Sequence, residues 1–200
     1  MAYVTLAEIK YFIGKNLQGN TDEDTLLTSL IAQAQAVIDS YCGGKPPRTR
    51  TFEASGDTTR KYNAIGDVIG KTLYLHADLA QTPTTVSNNG STYSVDTHYV
   101  LLCDIAPHTP PYSRIQLISA DWSYTTTPIN AITVTGRFAY SITPPNDIKL
   151  ACLELVNVTY KQRDTVAGVF TAMTAENGAV MFPDGAAKRV LDRLEPYVWR

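Results

Sequence analysis

Three histidines, three cysteines and a scatter of aspartates are the residues of this 200-residue chain equipped for metal binding, nucleophilic attack or proton transfer. His76, His98 and His108 all fall in the middle of the chain, and none stands at metal-ligand spacing with a Cys, Asp or Glu. They read as surface or strand-face imidazoles, with Asp96 or Asp104 as a partner open to His98. Cys42, Cys103 and Cys152 are odd in number and widely spaced, and no neighbouring His or Cys supplies a base. They read as buried free thiols of a protein made in a reducing compartment. Gly66-Asp67-Val68-Ile69-Gly70 has the glycines of a phosphate loop without the Lys-Ser or Lys-Thr that must follow, and there is no Gly-x-Ser-x-Gly elbow. Asp67, Asp78, Asp96, Asp104 and Asp121 are the carboxylates that a hydrolase would have to bring together in space. No catalytic, cofactor-binding or metal-binding residue is expected, and the chain reads as non-enzymatic.

Composition narrows the partners. With 17 basic and 19 acidic residues the net charge is −2. No segment carries the basic excess of a phosphate-binding surface, so specific nucleic-acid binding is not expected. No stretch approaches the roughly 20 apolar residues of a membrane span. The opening MAYVTLAEIK lacks an apolar run flanked by bases, so no secretory leader is expected. The glycosylation-like triplets at Asn89 and Asn157 are therefore discounted.

The elements that would position these residues fall into three blocks. A short first helix is signalled by the capping box Thr5-Leu6-Ala7-Glu8, with Val4 and Ile9 as a hydrophobic staple and Gly14 as its stop. A second helix is expected to be capped by Thr21, with Asp22, Glu23 and Asp24 on its first turn. Leu27, Leu30, Ile31, Ala34, Val37, Ile38 and Tyr41 give it one apolar stripe, and Gly43-Gly44 ends it. Its outer face is Ala and Gln with almost no charge, which fits either a plain surface or a face packed on a second subunit. From Arg50 to about Tyr140, Thr, Tyr, Val and Ile dominate. Strands are expected at 51–54, 72–75, 84–87, 99–102, 114–118 and 131–135, with a hairpin turn at Asn88-Asn89-Gly90. A third helix follows Pro144-Pro145, with Asn146 as cap, and runs to about Gln162, apolar on most sides. Residues 165–182 read as irregular and prone to rearrange on a partner, and a last helix begins near Asp184. The fold class expected is α+β: a small bundle of about four helices (1–49 and 141–200) with an inserted antiparallel β subdomain (50–140).

Two further features bear on function. Tyr93, Tyr99, Tyr112, Trp122 and Tyr124 could pave a carbohydrate- or peptide-binding face of a β sandwich, although aromatics more often fill sheet cores. Lys161-Gln162-Arg163-Asp164 closes the third helix, with cations where the helix dipole favours them; the same cluster could form an ion pair between subunits.

The order of these segments resembles the head-to-tail connector (adaptor) proteins of tailed bacteriophages. The matching residues are Tyr41, Cys42 and Gly43 at the helix stop; Gly136, Phe138, Ala139 and Tyr140 after the last strand; and Pro144, Pro145, Ile148, Ala151, Tyr160 and Arg163 through the third helix. Ala139 stands where the family pattern has glycine. The resemblance implies a virion structural protein at the head–tail interface, assembled in the host cytoplasm. It implies a homo-oligomeric ring, typically of twelve copies, beneath the portal. Such a ring receives a stopper or tail-completion protein and lets DNA pass through its lumen without sequence-specific binding. A monomer in dilute solution is compatible with it, because such rings can need the portal as template. No cofactor and no membrane is implied. The interface residues expected are Gln33, Ala36, Lys161, Arg163 and Asp164, with Lys188, Arg189 and Arg193 docking to the portal. A tail-terminator ring is the related alternative, with lower helix content.

Overall fold

A computed structural model describes residues 2–14, 17, 19–44, 49–103, 109–162, 170–175, 178–183 and 186–199. The chain is α+β and divides into two compact units, one made of 1–50 with 144–200, the other of 51–143.

In the first unit, α1 (Leu6–Ile13) opens on the capping box read from the sequence. The Glu8 amide donates to Thr5 Oγ1 at 3.2 Å, and the Thr5 amide donates to Glu8 Oε2 at 2.6 Å. The Thr5 amide foremost, and then the Thr5 hydroxyl donating to the same oxygen at 2.8 Å, hold the Glu8 carboxyl below its ordinary range. Val4 and Ile9, the staple pair, are both buried. The second helix, α2 (Asp24–Gly43), starts later than Thr21 suggests: its N-cap position is Glu23, with no side-chain cap. Lys10 in the last turn of α1 pairs with Asp24 and donates to the Asn20 carbonyl, which ties the start of α2 to α1. Leu27, Leu30, Ile31, Ala34, Ile38 and Cys42 are buried along α2, while Val37 and Tyr41 at the stripe's edge are half-buried.

The central helix α3 (Asn146–Gln162) packs against α1 and α2 and against α4 (Ala186–Leu194). That placement accounts for its many apolar sides: Ile148, Ala151, Cys152, Leu155, Val156 and Tyr160 are all buried. Asn146 is its first helical residue rather than a cap outside it. Pro196 falls in a short 3-10 turn, Glu195–Tyr197, that ends α4.

Among its described residues the second unit has eight strands: β1 (Thr58–Tyr62), β2 (Val68–Ile69), β3 (Thr72–Leu79), β4 (Thr85–Asn88), β5 (Ser91–Tyr93), β6 (Tyr99–Leu102), β7 (Tyr112–Leu117) and β8 (Ile132–Gly136). They form two antiparallel four-stranded sheets, ordered β1-β8-β4-β5 and β2-β3-β7-β6. One apolar core draws on both sheets, with Leu73, Ile115 and Leu117 from one and Val86, Ile132 and Val134 from the other. Asn89 (φ 51°) and Gly90 (φ 81°) turn β4 into β5, the left-handed pair that a two-residue hairpin requires. Residues 51–54 are not a strand. Phe52 is buried there and meets the Tyr140 ring at 5.4 Å. The strand that does form nearby, β1, reads Thr-Thr-Arg-Lys-Tyr: an edge strand too polar for its alternation to show.

The resemblance residues have packing reasons. A Cβ on Gly136 would lie 3.0 Å from Leu79 Cδ1 and 3.1 Å from Pro83 Cα, so the end of β8 has no room for a side chain. Ala139 sits in a small buried cluster with Ala54 and Ala80, which a methyl group fills.

Residues 165–182 were expected to be irregular, and the structure corrects this within its described part. The first unit contains two more strands, β9 (Phe170–Ala175) and β10 (Gly178–Pro183), paired antiparallel from Ala175–Gly178 to Phe170–Pro183. Small residues in both strands obscure this pair in the sequence.

Candidate assembly interface

The side chains suited to chemistry are dispersed or occupied. His76 Nε2 lies 2.9 Å from Asp67 Oδ1, and Asp67 Oδ2 accepts the Asn63 amide at 2.7 Å. This holds a surface loop, with His76 well exposed. His98 Nδ1 accepts the Ser94 amide at 3.0 Å rather than pairing with Asp96, and its ring stacks on Tyr93. His108 and Asp104 lie outside the described residues. Among the described residues, no group of three His, Cys, Asp or Glu could hold a metal ion.

The three thiols are free. Cys42 and Cys152 are buried, and burial foremost pushes each thiol up to about 12, which leaves them protonated and inert. Cys103 is only half-buried.

The aromatic surface considered for ligand binding is not formed. Tyr99, Tyr112 and Trp122 are buried in the sandwich core and Tyr93 packs against it; of the five, Tyr124 alone is exposed. Trp122 Nε1 donates to the Lys71 carbonyl at 2.9 Å, so even its polar handle is satisfied internally.

What the helical unit does present is an uncharged helix face. Ser29, Ala32, Gln33 and Ala36 of α2 are all exposed, at spacings of three and four that set them on one side of the helix. Leu26 is also exposed, at 41%. A second exposed apolar feature was not anticipated from the sequence. Tyr11 is 77% and Phe12 39% exposed on α1. Tyr11 lines an open groove of about 550 Å³ with Leu6, Ala7, Lys10 and Gly19. The signal was available, because α1 reads Leu-Ala-Glu-Ile-Lys-Tyr-Phe-Ile, with more apolar residues than its single buried position, Ile9, can use.

The charged candidates separate. Lys161 is exposed in the last turn of α3, while Arg163 and Asp164 lie outside the described residues. Lys188 stands in the first turn of α4, its side chain outside what is described, and Arg189 is exposed. Arg193 donates to Glu154 at 2.7 Å with both side chains about three-quarters covered, so it ties α4 to α3 within the subunit. The closing segment is tied down as well. The Trp199 amide donates to the Cys42 carbonyl at 2.8 Å, and Arg50 donates to the Tyr197 carbonyl at 2.6 Å while lying 5.4 Å from the Trp199 ring centre. Gly44 (φ 76°) permits this approach: a Cβ there would come within 2.6 Å of the Trp199 carbonyl oxygen.

One group in this unit makes its stability depend on pH. Asp39 on α2 accepts from the Tyr3 hydroxyl, yet burial raises its carboxyl from 3.8 to about 6. The folded form holds its proton more tightly than the unfolded chain. This contribution is therefore complete below about pH 4 and is lost as pH rises through 6. Asp39→Asn keeps an acceptor for Tyr3 and removes the titration. The variant is expected to gain about 1–3 kcal/mol over the parent between pH 4 and pH 7.5. Paired urea unfolding curves at the two pH values measure this; a difference independent of pH would refute it.

No family model and no curated protein matches this sequence. Solved structures do match its fold. A chain from the neck of an empty gene transfer agent particle, computed with C6 symmetry, covers 99% of this chain and 91% of its own, at 19% identity and TM-score 0.60. A chain from the neck of the native particle, computed with C12 symmetry, covers 98% and 88% at 14% identity and TM-score 0.52. A chain from the virion of the native particle covers 99% and 91% at 20% identity and TM-score 0.53. The chain therefore shares, over nearly all its length, the α+β fold of proteins that build such necks.

Proposed function

We propose that this chain is a non-enzymatic virion structural protein of the head–tail junction. In this reading it is a connector that forms a ring beneath the portal, receives a stopper or tail-completion protein, and lets DNA pass through its lumen. The observation that carries the reading is the fold similarity to neck chains over 99% of the sequence. The C6 and C12 symmetry of those necks favours a ring. The near-zero charge balance suits a channel that must not grip DNA, because tight phosphate binding requires clustered cations.

The helical unit is assigned the connector core, with the β unit as its insertion. The uncharged face of α2 around Gln33 and Ala36 is assigned to subunit contact, together with Lys161, Arg163 and Asp164 at the end of α3. Portal docking falls to Lys188 and Arg189, with Arg193 holding α4 in place through Glu154.

Mixing the purified chain with its cognate portal and imaging the product tests this. A symmetric ring stacked on the portal is the expected result. Absence of any association under assembly conditions would sink the reading.

A further inference from the structure

The outer face of the sheet β1-β8-β4-β5 carries a groove of about 380 Å³, within the size range of small-ligand pockets. Its floor is Ser87 and Thr133, which sit directly opposite each other across β4 and β8. Its walls are the Asn89-Gly90 turn and residues 125–127 and 129–131. No charged residue lines it.

The walls are held rather than loose. Asn88, only 2% exposed, donates to the Ser123 carbonyl at 2.7 Å and the Ala131 carbonyl at 3.1 Å, and accepts the Ser123 amide at 2.9 Å. One buried amide thus pins both ends of the wall segment to the sheet. Two wall residues, Asn89 (φ 51°) and Asn130 (φ 57°), are non-glycine residues in the left-handed region. The Asn130 amide is tied to Asn63 Oδ1 at 3.0 Å.

The lining chemistry selects the ligand. Hydroxyls and carboxamides each donate and accept, as sugar hydroxyls do. No cation is among the lining residues; Lys61 on β1 stands opposite Thr133 on the same sheet face, beside the groove rather than in its lining. Strand addition is closed to a peptide, because β8 is paired on both sides by β1 and β4, and β4 by β8 and β5. Ile129, 63% exposed at the rim, supplies an apolar patch for the C–H face of a sugar ring. We propose that this groove binds a neutral oligosaccharide, an activity separate from ring assembly and not dependent on it.

The test is titration of the isotope-labelled full chain with maltotriose, chitobiose and lactose, followed by amide resonances. Saturable shifts at residues 87–90 and 125–133 with at least one sugar are expected in the millimolar range. Thr133→Val, which keeps shape and β propensity, is expected to weaken binding roughly fivefold, the worth of one hydrogen bond, with an unchanged unfolding midpoint. Thr85→Val, on the same sheet face but outside the groove, is expected to leave binding unchanged. No saturable shift with any sugar, shifts elsewhere, or equal binding by Thr133→Val would overturn the proposal. So would saturable binding of an uncharged Gly-Ser-Thr peptide where the sugars fail.

Discussion

Trp122→Ala is expected to destabilise the β unit by about 3–5 kcal/mol, the range for truncating a buried aromatic side chain. Trp122 is 8% exposed and packs near Tyr93, at 6.1 Å between ring centres, and its indole N–H reaches the Lys71 carbonyl. Alanine removes the packing, leaves a cavity and deletes the hydrogen bond together. Trp122→Phe separates these effects. The ring remains, and the Lys71 carbonyl keeps its second donor, the Leu117 amide at 3.0 Å, so nothing is orphaned. Its cost is expected to be near 1 kcal/mol. Denaturant unfolding monitored by far-UV circular dichroism gives both values. A side chain serving as an exposed ligand platform would instead tolerate alanine within about 0.5 kcal/mol. The stability of Trp122→Ala therefore also decides whether this aromatic belongs to the core or to a binding surface.

The burial of Trp122 shows where sequence pattern stops informing. Local signals translate directly into structure. The Thr5–Glu8 capping box, the Asn89-Gly90 turn and the α2 stripe all act within a few residues, so spacing alone identifies them. The start of α2 is different. Thr21 followed by three acids signals a helix start, yet the helix begins at Asp24 with no side-chain cap, its first turn held instead by Lys10 of another helix. β1 escapes notice because an edge strand can be polar, and β9 and β10 because small residues mask a hairpin. Whether Tyr99, Tyr112 and Trp122 face solvent or core depends on which sheet closes over them, information that no single strand contains.

The candidate interface divides along the same line. Exposure of Gln33 and Ala36 follows from the stripe on the opposite side of α2. The pairing of Arg193 with Glu154 joins residues 39 positions apart in sequence on two helices, which turns a surface cation of the pattern into an internal tie. The exposed Tyr11 and Phe12 belong to a helix whose length of eight residues buries one position only.

Ala36→Glu is expected to abolish ring formation on the portal while leaving the isolated subunit folded and stable. Ala36 is exposed in the middle of α2, and glutamate is a good helix former, so the subunit should change by no more than about 0.5 kcal/mol. Between Asp24 and Asp39 the helix carries no charge at all, so a carboxylate introduced there meets no cation on its own helix. If the face is buried in the ring, each copy must desolvate an unpaired charge, a penalty of several kcal/mol. That penalty recurs at every equivalent interface of a closed ring, which makes assembly far more sensitive than folding. Ala36→Gln supplies the control: similar bulk without the charge, and a smaller loss. Negative-stain imaging of portal mixed with each variant, alongside unfolding curves of the free subunits, separates the two effects. Rings at parental yield with Ala36→Glu would show that this face is not between subunits, whereas loss of rings together with loss of folding would show only a broken helix. The combination expected is an intact subunit, no ring with glutamate and a partial yield with glutamine, the pattern of a face that is exposed in the free subunit and covered in the proposed ring.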